Sequence, residues 1–218
     1  MNKKILLIIS LVLIALFVFV TIGVQLNFAW VERLDTFGNQ LLILNISEQA
    51  TVAIERFSNI ASNIRVFVGA FIIGIVFLWQ KKWSLFAWFV LSIGLIGGGI
   101  PQGLKIIFGR PRPTDGFFTR AGFSYPSGST MGALAVYGLL IILAIIYLKK
   151  GWQKVLVTTA ATGITLFIAW SRVHLGVHYL SDVLASFLLG IGLLIIAWLA
   201  LKRVITYERD KTELYFKL

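Results

Sequence analysis

The chain has 218 residues, of which 58% are hydrophobic and 13% charged, and carries a formal net charge of +11. That charged fraction is about half the roughly 25% of an ordinary soluble domain, and with a mean hydropathy of +0.89 it excludes a soluble globular protein. The chain has no cysteine and only two histidines, so disulfide and thiolate chemistry are excluded, a transition-metal site is not expected, and nothing calls for a cofactor. Its basic residues sit at the ends of apolar runs rather than in a patch interleaved with aromatics, which sets nucleic acid aside as a partner.

Lys3 and Lys4 precede an uncharged run from Ile5 to Val31. It is longer than the core of a secretory signal and lacks a small-residue cleavage site, so it predicts an uncleaved first membrane span. Residues 32 to 65 mix Glu32, Arg33, Asp35, Glu48, Glu55, Arg56 and Arg65 with apolar residues such as Leu41, Leu42, Leu44 and Ile54. This pattern predicts an amphipathic interfacial segment, either a surface connector or a lip through which a lipid headgroup enters. Asn45-Ile46-Ser47 fits a glycosylation sequon, a three-residue pattern too weak to carry a function.

A second span is expected from Ile64 through Phe77 to Lys81-Lys82, and a third from Trp83 to Leu104, with Lys105 following at once. The third contains Gly94, Gly97, Gly98, Gly99, Pro101 and Gly103, a density that predicts close helix contact and a kink. Residues 106 to 126, with Pro111, Pro113, Arg110, Arg112, Asp115 and Arg120, read as a polar loop. A fourth span runs from Ser127, a candidate N-cap, to Leu148; a fifth from Val155 to Trp170; a sixth from Val183 to Leu201 ahead of Lys202-Arg203 and a charged tail. The whole chain, 1–218, reads as one all-α domain, a bundle of six transmembrane helices. Basic residues concentrate at the N-terminus, the second-to-third and fourth-to-fifth connections and the tail. By the positive-inside rule this predicts cytoplasmic termini and puts Lys105, Arg112, Ser127 and His178 at the extracytoplasmic face. The spans carry essentially no ionisable residue near their middles, which argues against a transporter or channel.

Three stretches on that face carry chemistry. In Ser171 to Asp182, SRVHLGVHYLSD, a polar break between apolar runs holds Arg172, His178 and Asp182. His178 and Asp182 are four apart, the spacing that brings two side chains to one face of a helical turn. A carboxylate beside an imidazole fixes the ring's tautomer and frees its other nitrogen as base or nucleophile. An arginine supplies planar donors suited to phosphate. The second stretch is Lys105 with Arg112-Pro113 seven residues on, and the third is Tyr125-Pro126-Ser127-Gly128. Arg110 is expected to be an interfacial anchor, and His174 a structural or headgroup-facing histidine.

In this order and spacing the three stretches resemble the type 2 phosphatidic acid phosphatase superfamily of integral membrane lipid phosphatases, over roughly residues 60 to 205. The resemblance implies that Lys105, Arg112 and Arg172 hold the phosphoryl oxygens. It places Ser127 and the amides of Gly128 and Ser129 at a helix N-terminus as an anion site, and it makes His178, oriented by Asp182, the nucleophile that forms a phosphohistidine without a metal. It also implies a bacterial plasma membrane protein. One position departs: where the family has histidine as proton donor to the leaving group, this chain has Ser129. A missing general acid penalises an alkoxide leaving group more than a phosphate, whose second pKa is near 6. A lipid pyrophosphate, such as a polyprenyl pyrophosphate, is therefore the expected substrate. The alternatives are lipid phosphate monoesters such as phosphatidic acid or phosphatidylglycerol phosphate, or a lipid-phosphate-binding protein with attenuated turnover.

Overall fold

A computed structural model describes residues 2–43, 46–62, 64–114, 116–118 and 120–215, with only the backbone course described for 60–69 and 206–215. Asn45 of the sequon, Asp115 of the loop, the Arg65 side chain and the end of the charged tail lie outside the described residues. The described residues are all helix, turn and loop, with no strand among them. The helices are α1 (Lys3–Gln25), α2 (Ala29–Leu42), α3 (Glu48–Ser62), α4 (Ile64–Trp79), α5 (Trp83–Ile93), α6 (Ile100–Phe108), α7 (Gly128–Tyr147), α8 (Gly151–His174) and α9 (Leu180–Tyr215).

Five stretches are long and apolar enough to cross a membrane: Lys3–Gln25, Trp83–Phe108, Gly128–Tyr147, Gly151–His174 and Leu180–Ile205. Expected and observed boundaries differ in both directions. The apolar run from Ile5 to Val31 breaks between α1 and α2; α6 continues past Lys105 to Phe108; α8 continues past Trp170 to His174. A charged residue ends a hydropathy run, but it does not end a helix whose backbone bonds continue. The glycine-rich kink is a single π turn, Gly94–Gly99, joining α5 to α6 just before Pro101. Proline has no N–H to give the preceding turn and crowds the carbonyl four residues back, and a widened turn accommodates both.

The interior is built from side chains such as Phe17, Val20, Phe89, Met131, Leu139 and Leu189. Ile8, Phe19, Leu91 and Val155 are exposed, which suits a molecule whose solvent is hydrocarbon. Buried polar bonds tie helices across this interior: Ser10 Oγ donates to Gly192 O at 2.8 Å, joining α1 to α9, and Trp88 Nε1 donates to Ala197 O at 2.8 Å, joining α5 to α9. Each is worth about 0.6 kcal/mol in such bundles.

The segment between α1 and α4 forms two helices, and a polar side chain of each reaches inward. In α2, Asp35 is buried, and in α3, Ser58 bonds to Arg172. The chain directions bring the C-terminal ends of α1, α6 and α8 and the N-terminal ends of α7 and α9 together. At the opposite end, Lys3, Lys4 and Arg203 line one groove, and Lys82 lies 6.0 Å from the Tyr147 ring centroid.

Candidate active site

His178 follows a tight turn after α8, in which its amide and that of Val177 both donate to Arg172 O at 3.1 Å. Asp182 lies in the first turn of α9. The helical spacing is met from outside the helix: His178 Nδ1 is 3.3 Å from Asp182 Oδ2, which also accepts from Tyr179 N at 3.1 Å. The other ring nitrogen, Nε2, is 3.2 Å from Arg112 Nη1. A guanidinium only donates, so Nε2 presents a lone pair and Nδ1 carries the proton shared with Asp182. Burial drives the His178 pKa down, against the pull of Asp182 and with further help from Lys105 and Arg112, from 6.5 to about 4. At neutral pH the ring is uncharged with Nε2 free to bond.

The loop after α6 surrounds this ring. Arg112 donates from Nε to Gly122 O at 3.2 Å and from Nη1 to Val177 O at 2.8 Å. Burial lowers its pKa, Asp182 raises it and Arg120 lowers it further, leaving it below its usual value. Gly176 stands at φ +66°, and an added Cβ there would come within 2.3 Å of Gly116 Cα. Only glycine allows the two backbones this close, and Phe117 N donates to Leu175 O at 3.1 Å beside them. The loop is thereby pinned to the turn that carries His178.

Lys105, on the last turn of α6, donates to Phe123 O at 2.6 Å and Ser124 O at 3.1 Å. A Cβ on Gly128 would lie 3.5 Å from Lys105 Cε, so this ammonium arm lies beside the start of α7. Ser127 caps α7, its Oγ accepting from Thr130 N at 3.4 Å and Thr130 Oγ1 at 3.0 Å. Ser127 is fully buried, whereas Gly128 and Ser129 are half-buried. Ser127 N also donates to Asp182 O at 3.4 Å, so the caps of α7 and α9 are joined. Arg172 is buried, its Nε donating to Ser171 Oγ at 3.3 Å and its Nη2 to Ser58 Oγ. The structure thus gathers Lys105, Arg112, Ser127, Gly128, Ser129, His178 and Asp182 at one end of the bundle, with Arg172 beneath the turn. His174 stacks on Trp170 with centroids 4.8 Å apart, and its Nδ1 is 3.2 Å from Leu42 O.

Arg110 overturns its reading as an interfacial anchor. Nη1 donates to Asp182 Oδ1 at 2.5 Å and to Ser181 Oγ at 2.7 Å, Nη2 donates to Asp35 Oδ2 at 2.7 Å, and the guanidinium lies 4.1 Å from the Tyr179 ring centroid. Asp35 in turn accepts from Ser181 N at 2.8 Å and Ser181 Oγ at 2.9 Å. Burial works against the Arg110 charge, but Asp182 and Asp35 outweigh it and hold the pKa above its usual value. Asp182 is therefore clamped on one oxygen by Arg110 and turned towards His178 with the other. Nothing local in the sequence signals this pairing, because Arg110 is 75 residues from Asp35 and 72 from Asp182.

A model of the PAP2 superfamily matches residues 85–205. The chain belongs to the PAP2 superfamily. Among curated proteins it is 38% identical over 74 residues to phosphatidylglycerophosphatase B of Bacillus subtilis (strain 168), a match covering 33% of this chain and 36% of that protein, so the alignment spans about a third of the relative. Among solved structures, the fold is shared with the transmembrane PAP2-type phosphatidylglycerolphosphate phosphatase from Bacillus subtilis, at TM-score 0.76 and 23% identity, covering 92% of this chain and 96% of that one. It is also similar to Aquifex aeolicus LpxE, at TM-score 0.53 and 22% identity, covering 73% of this chain and 91% of that one. The family match includes Lys105, Arg112, Ser127, Arg172, His178 and Asp182, and it confirms the resemblance read from their spacing.

Proposed function

We propose that this PAP2 protein is a lipid phosphatase that works through a phosphohistidine on His178, with a lipid pyrophosphate as its preferred substrate. The observation that carries the reading is the polarised ring: Nδ1–H held by Asp182 and a lone pair on Nε2 at 3.2 Å from the Arg112 fork. Arg112 transfers its donor to a phosphoryl oxygen, and Nε2 attacks phosphorus. The bond from phosphorus to the leaving oxygen breaks, and its electron pair stays on that oxygen. Lys105, Arg112 and Arg172, with the amides of Gly128 and Ser129, offset the charge spread over the phosphoryl oxygens. Water then attacks phosphorus, the P–Nε2 bond breaks with its electron pair returning to Nε2, and inorganic phosphate leaves as the excess water proton passes to solvent. With Ser129 in place of an acid of suitable pKa, a leaving phosphate departs more readily than an alkoxide.

The same reading takes the site as extracytoplasmic and α4 as a sixth crossing. Lys3, Lys4, Lys82 and Arg203 cluster away from His178, as the positive-inside rule requires for cytoplasmic termini. The 16 residues of α4, about 24 Å of helix, return the chain from α3 to that far end. The test is phosphate release by purified protein in detergent from farnesyl diphosphate and from phosphatidic acid. Release faster from the diphosphate, and abolished by His178→Ala without loss of folding, is expected. Turnover persisting in His178→Ala refutes the mechanism, and faster turnover of the monoester refutes the preference.

A further inference from the structure

Arg120 is a cation the transferred phosphoryl group does not need. It belongs to the same loop as Arg112, and it is electrostatically coupled to both Arg112 and Arg172. Its Nη2 reaches out to α3, donating to Glu55 Oε1 at 2.6 Å and Asn59 Oδ1 at 3.2 Å, and its side chain remains 38% exposed. Among the described residues, its Nε and Nη1 make no hydrogen bond. Between Arg112 and Arg120 lies a cavity of about 470 Å³, lined also by Thr114, Phe118 and Phe123. A water occupies about 30 Å³ of liquid, so this space exceeds what one phosphoryl group fills. Lys105, Arg112 and Arg172 already outnumber the charges of a phosphate dianion, and Arg120, whose Nη2 is taken by Glu55, leaves Nε and Nη1 to donate on the rim.

We propose that the cavity between Arg112 and Arg120 is a subsite for a second phosphate group carried by the same lipid as the one His178 attacks. The inference rests on the phosphatase reading and narrows its substrate to lipids bearing two phosphates, with Thr114 and the Arg120 fork as donors and the two phenylalanines facing the chain that follows. In a diphosphate the second group is the leaving group. Arg120 then takes up the charge that arrives when the bridging P–O bond breaks, which lessens the need for a proton donor at position 129. In a lipid with a phosphodiester and a terminal phosphate, the same cation reads the phosphodiester.

The test compares kcat/KM within two pairs, farnesyl diphosphate against farnesyl phosphate and phosphatidylglycerol phosphate against phosphatidic acid, in the native chain, Arg120→Gln and Glu55→Gln. Loss of a charge-assisted hydrogen bond predicts that Arg120→Gln lowers the two-phosphate to one-phosphate ratio about tenfold or more. A fall in the first pair alone assigns the subsite to the anhydride phosphate, in the second alone to the phosphodiester, and in both to either. Glu55→Gln takes the charge out of the same tether to α3 but keeps the cation, and it leaves the ratios in place. Unchanged ratios in Arg120→Gln, or equal falls in both variants, overturn the proposal while the phosphatase reading stands. A native chain that releases no phosphate sinks that reading instead. In that case thermal-shift titration with inorganic pyrophosphate and phosphate decides the subsite: the pyrophosphate advantage must be present in the native chain and lost in Arg120→Gln.

Discussion

Replacing Arg110 with methionine, which keeps most of the stem and deletes the charge, strands two carboxylates at once. Asp182 is fully buried and the Asp35 side chain is 9% exposed, while Arg110 itself is only 15% exposed. At an effective dielectric of about 20, unit charges about 4 Å apart attract by roughly 4 kcal/mol, and desolvation offsets part of the attraction at both bonds. Asp35 keeps its two bonds from Ser181, and Asp182 keeps those from Tyr179 and His178. The net cost of Arg110→Met is therefore expected at roughly 3–5 kcal/mol, the range for removing one partner of a buried pair. Asp35→Asn alone costs less, because Arg110 retains Asp182. On the Arg110→Met background Asp35→Asn recovers part of the loss by removing an unpaired charge. Equilibrium unfolding in mixed detergent micelles of the four proteins in this cycle measures the coupling. A loss below about 1 kcal/mol for Arg110→Met, or strict additivity of the two changes, would refute the clamp.

Two further outcomes follow from the same geometry. His178 titrates at about 4 in the fold and at 6.5 when unconstrained, so between these values the unfolded chain binds the extra proton. Stability is full above pH 6.5 and falls as pH drops towards 4, by roughly 3 kcal/mol; unfolding midpoints of the native chain and His178→Asn measured across this window should converge on the acid side, and parallel profiles would contradict the buried neutral ring. Ser129→His supplies a general acid at the half-buried first turn of α7 and should raise phosphate monoester turnover by about tenfold to a hundredfold, with a smaller gain on the diphosphate. Equal gains on both substrates would remove leaving-group protonation as the basis of the preference.

Hydropathy located five of the six expected spans as helices long and apolar enough to cross a membrane, because a bilayer leaves a chain few ways to satisfy its backbone; the expected second span is the shorter helix α4. Ser127 as the cap of α7 was legible for a related reason: a side-chain oxygen at a helix start answers a local need. The boundaries at Lys105 and Arg172 were misplaced, since charge at a helix end changes solvation without breaking the hydrogen-bond ladder. Lys105, Arg112, Ser127, Arg172, His178 and Asp182 were recognisable because spacing within short stretches carried them, and the departure at Ser129 was visible in the same motif.

Arg110 and Asp35 were not recognisable in this way. They are 75 residues apart, and Asp35 meets Ser181 across 146. No local pattern records such a pairing, and the two residues looked like ordinary interfacial charges. The amino-acid order alone determined a basic, membrane-embedded helical chain with the spaced motif of the PAP2 superfamily and a serine at position 129. The packing of α2 against α9 decided which arginine steadies Asp182, and the loop pinned to the turn after α8 decided which approaches Nε2. The reason is physical: local spacing sets what one turn presents, whereas a buried charge finds its partner only when separate helices close around it.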